Sequence, residues 1–344
     1  MSVQNRGADE SALEDLLSRP TPPVVEAMAA LDGDIVILGA GGKMGPSLAR
    51  LAARASREAG VRRRVIAVAR FTERRLRGWL ERAGVDALEC DLFERELVAR
   101  LPDAKNVVFM AGQKFGTTSD GPGTWAVNTV LPAVAAERFP RARIVAFSTG
   151  NVYPLTPAGG PGPSESDDVS PVGEYAQSAL ARERVLEFYS RRQDTPMAIL
   201  RLNYAVEPRY GVLPDIADRV RSGEPVDLTM GWVNVIWQPD ANAIALRSFA
   251  HAAVPPFVLN VTGRPALSTR AIAERFAERW GVEPRFTGQE ADTALLSDAS
   301  RCEVLFGAPE TQLREMVEHV ASWIEQGGRS LGKPTRYEIR EGKF

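Results

Sequence analysis

Lysine is scarce in this chain. Of the 42 basic residues among 344, only Lys43, Lys105, Lys114, Lys333 and Lys343 are lysines, so chemistry that needs an ammonium has few candidates. Histidine is scarcer still: His251 and His319 lie on helical stretches without companion ligands, and a structural role is expected of both. The two cysteines, Cys90 and Cys302, are far apart in sequence and have no Cys/His cluster around them, which argues against a disulfide framework and against a zinc site. A formal net charge of −2 with both signs interspersed leaves no broad basic field, so neither nucleic acid nor a membrane surface is an expected partner. No stretch approaches the roughly 20 apolar residues that cross a bilayer. The acidic start, Met1 to Pro23, lacks an apolar core of signal-peptide length, and a reducing cytoplasm is the expected compartment.

What is present is ordinary in amount and specific in order. An apolar content of 44% and a charged content of 25% are those of a globular protein, and the length suits one large α/β unit with a smaller appended region. Asp34 to Leu38 is a compact β-branched run of the kind that forms a buried strand. Gly39-Ala40-Gly41-Gly42-Lys43-Met44-Gly45 follows directly, and after Pro46 the residues Leu48, Leu51 and Ala52 recur at helical spacing. Strand, glycine turn and helix together bring backbone close to a pyrophosphate and offer it the free N–H groups and positive dipole of a helix start. Gly39, Gly42, Lys43, Met44 and Gly45 are therefore the expected phosphate cradle.

The glycine spacing is G-x-x-G-x-x-G on Gly39, Gly42 and Gly45, and in this the chain resembles the extended short-chain dehydrogenase/reductase family, which includes sugar-nucleotide epimerases and dehydratases. The resemblance implies an α/β fold, a Rossmann-type doubly wound parallel sheet with a smaller C-terminal α/β substrate lobe. The expected layout is a helical arm at 1–31, a dinucleotide-binding domain at 32–204, a mainly substrate-binding lobe at 205–326 and a polar tail at 327–344, which is either mobile or docked on a neighbour. In the arm, Ser11 is the expected cap of a helix carrying Leu13, Leu16 and Leu17, and the apolar stripe is expected to pack on the body.

Val65 to Ala69 reads as the second strand, and Arg70 closes it. An acidic residue at this place accepts hydrogen bonds from the ribose of NAD, whereas a guanidinium pairs with a 2′-phosphate, so Arg70 favours NADP over NAD, with Lys43 a second positive charge near the same phosphate. The resemblance further implies that Asp91 and Leu92 meet the adenine, that Ala111 and Gly112 let the nicotinamide half pass close to backbone, and that Asn128 is a structural asparagine. The segment Ser148-Thr149-Gly150-Asn151-Val152-Tyr153-Pro154 resembles the S-[ST]-x-x-V-Y-G of the family, with proline in place of the glycine. It puts Thr149 on the catalytic Ser/Thr position and Tyr175 on that of the catalytic tyrosine, which also touches the cofactor.

One element of the pattern is missing. The family motif is Y-x-x-x-K, and this chain reads Tyr175-Ala176-Gln177-Ser178-Ala179. Residues four apart share a helix face, so the usual lysine sits beside both the phenol and the cofactor ribose and favours phenolate. An ordinary phenol, with a pKa of roughly 10, is ionised to only about one part in a thousand at pH 7. Either another cation does this work or the proton relay has been given up. Lys114, coming off the end of the fourth strand, is the candidate for the missing charge or for acid/base work itself.

Beyond the sixth strand, Met197 to Asn203, short helices alternate with short strands; Val226 to Trp237 looks extended and Ser268 caps a helix from Thr269 to Trp280. Lys114, Asn151, Asn203, Arg209, Trp232 and Asn234 are the candidate substrate-side residues, suited to a polyhydroxylated or carboxylate-bearing small molecule. The resemblance implies an NAD- or NADP-dependent oxidoreductase, epimerase or dehydratase acting at a secondary alcohol or ketone of a sugar, sugar acid or polyol. It also implies a homodimer formed through the helix after the fourth strand and the tyrosine-bearing helix; Leu180, Leu186, Phe188 and Tyr189 either serve that surface or are buried within one chain. The rival reading is a dinucleotide-binding sensor with little catalysis, because the lysine is gone.

Overall fold

The computed structural model describes residues 9–117 and 119–343. Seven strands form its central sheet: β1 (Ile35–Leu38), β2 (Val65–Ala69), β3 (Asp86–Glu89), β4 (Asn106–Phe109), β5 (Arg143–Thr149), β6 (Met197–Leu202) and β7 (Phe257–Val261). All are parallel, in the order β7-β6-β5-β4-β1-β2-β3. β1 shows why so apolar a run is needed: Ile35 and Ile37 pack into one core, Val36 and Leu38 into the core on the opposite face. Strand order reverses between β1 and β4, which opens a crevice at their C-terminal ends.

The helix Gly173–Gln193, which carries Tyr175, is fastened to the sheet by a buried ion pair. Arg201 on β6 meets Glu183 at 2.8 Å, with the two side chains only 6% and 3% exposed. Removing both charges from water is costly, and the surrounding hydrogen bonds offset it: Ser148 donates to Glu183, and Arg201 donates to the Tyr153 hydroxyl at 2.7 Å.

A second core lies in the C-terminal lobe, around Ile216, Phe276, Leu296 and Val320. The stretch expected to be extended is broken into three two-residue strands. Val226–Asp227, Trp232–Val233 and Ile236–Trp237 pair respectively with Phe286–Thr287, Leu267–Ser268 and Ala205–Val206, three partners in different places. The helix Thr269–Trp280 starts as expected, with Ser268 accepting from the Ala271 N–H at 3.2 Å.

Both chain ends serve this body. The arm forms helices Glu10–Leu17 and Pro22–Ala30; Leu13 and Leu17 enter the lobe core while Val24 and Met28 enter the sheet core. Its cap is Asp9 rather than Ser11, because the Asp9 carboxylate accepts from the N–H groups of Ser11 and Ala12 at 2.9 and 3.1 Å. The tail packs on the chain's own body: Thr335 and Tyr337 are buried, and Arg340 donates to the Thr293 carbonyl at 2.7 Å. Of the two places left open for it, Leu186 takes the chain's own core, whereas Phe188 is 54% exposed.

Candidate active site

The glycine loop is dictated by close approach. Gly39 has a φ of +88°, and a Cβ there would stand 2.5 Å from the Ala111 backbone nitrogen; a Cβ on Gly45 would stand 2.5 Å from the Ala40 carbonyl. Gly42 differs, since a Cβ there would meet protein only at an ordinary 3.5 Å. It lies on the wall of a cavity of about 1330 Å3, so the missing side chain leaves room for a ligand rather than for the fold. The helix Gly45–Glu58 begins at this wall with no side-chain cap, which leaves its first N–H groups for an anion. These features fit a dinucleotide pyrophosphate.

The cavity runs from this loop to the end of β5. Gly39, Gly42, Lys43, Met44, Gly112, Lys114, Thr149, Asn151, Tyr175, Asn203 and Arg209 line it together. The Thr149 hydroxyl donates to the Asn151 side-chain oxygen at 3.0 Å and accepts the Asn151 N–H at 3.2 Å, so the strand end fixes its direction. Gly45, Arg70, Asp91, Leu92, Ala111, Asn128, Trp232 and Asn234 stand off the wall.

Asn128 nevertheless shapes it. The helix widens to a π turn over Ala126–Val130, and from there Asn128 accepts from the Gln113 N–H and donates to the Gln113 carbonyl, both at 3.0 Å, while also donating to Ser178 at 2.9 Å. It clamps the chain beyond β4 to the tyrosine-bearing helix. Asn234 is an internal strut, fully buried and accepting from the Ser297 N–H at 3.0 Å; Trp232 packs against the lobe core. Arg209 is held by Glu207 at 3.0 Å and by Glu14 of the arm.

The cavity's lysines are displaced from ordinary behaviour. Burial pushes the Lys43 ammonium down to about 7, with repulsion from Lys114 and Lys333 adding to it and Asp215 opposing. Lys43 does not join Arg70: its Nζ lies 3.2 Å from the Tyr210 ring centroid and 4.4 Å from that of Phe115, an aromatic shelf that draws a cation toward the lobe. Arg70 remains exposed at the end of β2. Lys114 donates to the Thr335 carbonyl at 3.3 Å and stands 5.9 Å from the Tyr175 ring centroid. Burial lowers it to about 8, against the pull of Asp215 and Glu338.

A model of the NAD dependent epimerase/dehydratase family matches residues 35–253, more than half of the chain. The chain belongs to this family. No curated protein matches its sequence. Among solved structures, the epimerase/dehydratase fold of this chain is similar to that of the WbmG enzyme of Bordetella bronchiseptica in complex with NAD and UDP, with a TM-score of 0.71, 21% identity, and 89% of this chain and 99% of that one covered. It is similar to the dTDP-glucose 4,6-dehydratase of Streptomyces venezuelae, with a TM-score of 0.73, 16% identity and coverage of 85% and 97%. A UDP-glucuronic acid 4-epimerase from Bacillus cereus in complex with NAD gives 0.71, 16%, 85% and 99%. At these identities the likeness is one of fold.

With Ala179 four residues after Tyr175, a residue overlooked in the sequence matters. Arg182 lies seven residues after Tyr175, two helical turns along the same face, and helical side chains lean back toward the N-terminus. It is 5% exposed, donates to the Phe147 carbonyl at 2.8 Å and donates to Asn128. A Cβ on Gly112 would sit 2.6 Å from its guanidinium. Burial lowers its pKa, while Tyr175 and then Glu183 raise it. The i, i+7 spacing was the available signal.

Proposed function

We propose that the protein binds a nicotinamide dinucleotide along the β1/β4 crevice and uses it at a secondary alcohol or ketone carbon of a sugar, sugar acid or related polyol, as an epimerase, dehydratase or simple oxidoreductase. The observation that carries this reading is the single cavity joining the open Gly42 wall to Thr149 and Tyr175. When bound, the nicotinamide accepts or returns a hydride. Thr149, held in place by the Asn151 N–H, turns its hydroxyl from the Asn151 side-chain oxygen to donate a hydrogen bond to the reacting oxygen of the substrate. Tyr175 exchanges the proton with that oxygen, and Lys114 and Arg182 supply the positive charge that the missing lysine would have given.

Arg70, with Arg75 on the cavity wall beyond the same strand, favours a 2′-phosphate at the adenosine end and hence NADP. The exposed Phe188 supports a homodimer through the tyrosine-bearing helix. The test is calorimetric titration with NADP and NAD, followed by turnover of a panel of sugars, sugar acids and their nucleotides. Thr149→Ala should then lower kcat by about 30-fold, in line with roughly 2 kcal/mol for one lost donor. Coenzyme binding without turnover of any substrate would favour the sensor reading, and absence of coenzyme binding would overturn both.

A further inference from the structure

The chain's five lysines are distributed in a way that the dinucleotide does not explain. Lys105 and Lys343, outside the cavity, are each ion-paired, with Asp32 and Glu341 respectively. Lys43, Lys114 and Lys333 line one cavity, and neither Lys43 nor Lys333 forms an ion pair among the described residues. They come from three distant parts of the chain: the glycine loop, the segment after β4 and the docked tail. Lys114 and Lys333 both repel Lys43. Asp215, the carboxylate that acts on both Lys43 and Lys114, accepts from the N–H of Thr335 at 2.7 Å and from its hydroxyl through one oxygen, and Glu338 adds a second negative charge near Lys114, so two carboxylates face three lysines. Like charges assembled in a partly enclosed space raise the energy of the empty site, and an anion bound among them offsets that cost.

We propose that Lys43, Lys114 and Lys333 form a receptor for a carboxylate carried on the sugar ring, which makes the substrate an acidic, uronate-like sugar. The position decides between a ring carboxylate and a phosphate at the far end of a nucleotide. Lys114 stands 5.9 Å from the rings of both Tyr175 and Tyr204, so the anion lies within about one sugar ring of the reacting carbon. Lys43, 3.2 Å over Tyr210, closes the same corner against an aromatic wall suited to the apolar face of a sugar. Lys333 is delivered by the tail, whose Leu331 N–H bonds to the Arg209 carbonyl at 3.0 Å, so the receptor is complete only with the tail docked. The assignment rests on the proposed function in one respect, that the reacting carbon lies at Tyr175.

Calorimetry on the full chain, apo and loaded with NADP or NAD, tests it with two matched pairs: D-glucuronate against D-glucose, and UDP-glucuronate against UDP-glucose. The acidic member of at least one pair should bind at least tenfold more tightly. Lys43→Met and Lys333→Gln should each erase most of that difference while leaving the neutral sugar unchanged, Lys43→Arg should retain it, and Lys343→Gln should have no effect. Lys333 is on the docked tail rather than in a core, and a matching thermal melt shows that its variant is folded. No tenfold preference in either pair, or a preference that both lysine variants leave intact, overturns the proposal. A lysine-dependent affinity for UDP alone equal to that for UDP-glucuronate also overturns it, because the anion held would then be the diphosphate. The apo titrations keep the two ideas apart: failure of both NADP and NAD to bind removes the proposed function, while acid preference in the apo chain still reports on the lysines.

Discussion

The Arg182 guanidinium donates to the carbonyl of Phe147 at 2.8 Å, tying the tyrosine-bearing helix to the penultimate part of β5 beneath Thr149. The cation beside Tyr175 is thereby fixed to the same strand as the threonine. Arg182→Met should lower kcat by roughly 100-fold and move the ascending limb of the pH–rate profile for alcohol oxidation to higher pH, since loss of a neighbouring cation disfavours phenolate. Arg182→Lys should recover part of the shift. A purely structural Arg182 would change the melting temperature and leave the pH profile in place.

Reintroducing the family lysine should not help. Ala179 is fully buried with Val152 and Tyr153, so a longer side chain overpacks that site and its charge repels Arg182. Ala179→Lys should lose activity and about 1–3 kcal/mol of stability. A gain in turnover would instead mark the present site as a damaged version of the family's relay. Urea melts and steady-state rates on one preparation distinguish the two.

The Arg201–Glu183 pair should behave as a buried pair does when halved. Arg201→Met leaves the Glu183 carboxylate enclosed with Ser148 as its remaining side-chain donor among the described residues, and about 3–5 kcal/mol of stability should be lost. Replacing both, with methionine and leucine, should cost less than the single change. Equilibrium unfolding monitored by tryptophan fluorescence measures each value.

Lys43 and Lys114 give the protein a signature at mildly alkaline pH. Their ordinary value is 10.5, and in the folded chain they fall to about 7 and about 8. Between those values and 10.5 the unfolded chain holds more protons than the folded one, so stability from these two groups rises as pH increases through 7 to 9. Lys333 repels Lys43, Glu338 attracts Lys114 and Asp215 attracts both. Affinity for glucuronate should change in the opposite direction, falling across the same range as the ammonium charge is lost. Both trends should shrink in Lys43→Met, read by thermal melts and calorimetry at each pH.

Much of this was legible in order along the chain. The β-branched run of β1, the glycine spacing and the S-T-x-x-V-Y segment declare themselves because strand periodicity, a tight turn and a strand-end hydroxyl are local, satisfied within a few residues. Even the Ser268 cap could be placed this way. Arg182 went unremarked because a charged residue on a helix reads as solvated until the sheet covers it, and Asp9 replaced Ser11 because a capping contest is decided by one turn of backbone.

The sequence by itself determined a doubly wound sheet with a phosphate-binding turn, and it put Thr149 and Tyr175 in that frame. Only the tertiary structure decided which charges meet. Lys43 leaves Arg70 for the Tyr210 ring, a partner far along the chain, and the tail, polar enough to read as loose, is held by Asp215 and brings Lys333 to the cavity. Contacts between distant segments depend on how whole layers dock, and burial then sets the charge state of the groups enclosed. No local pattern of residues encodes either.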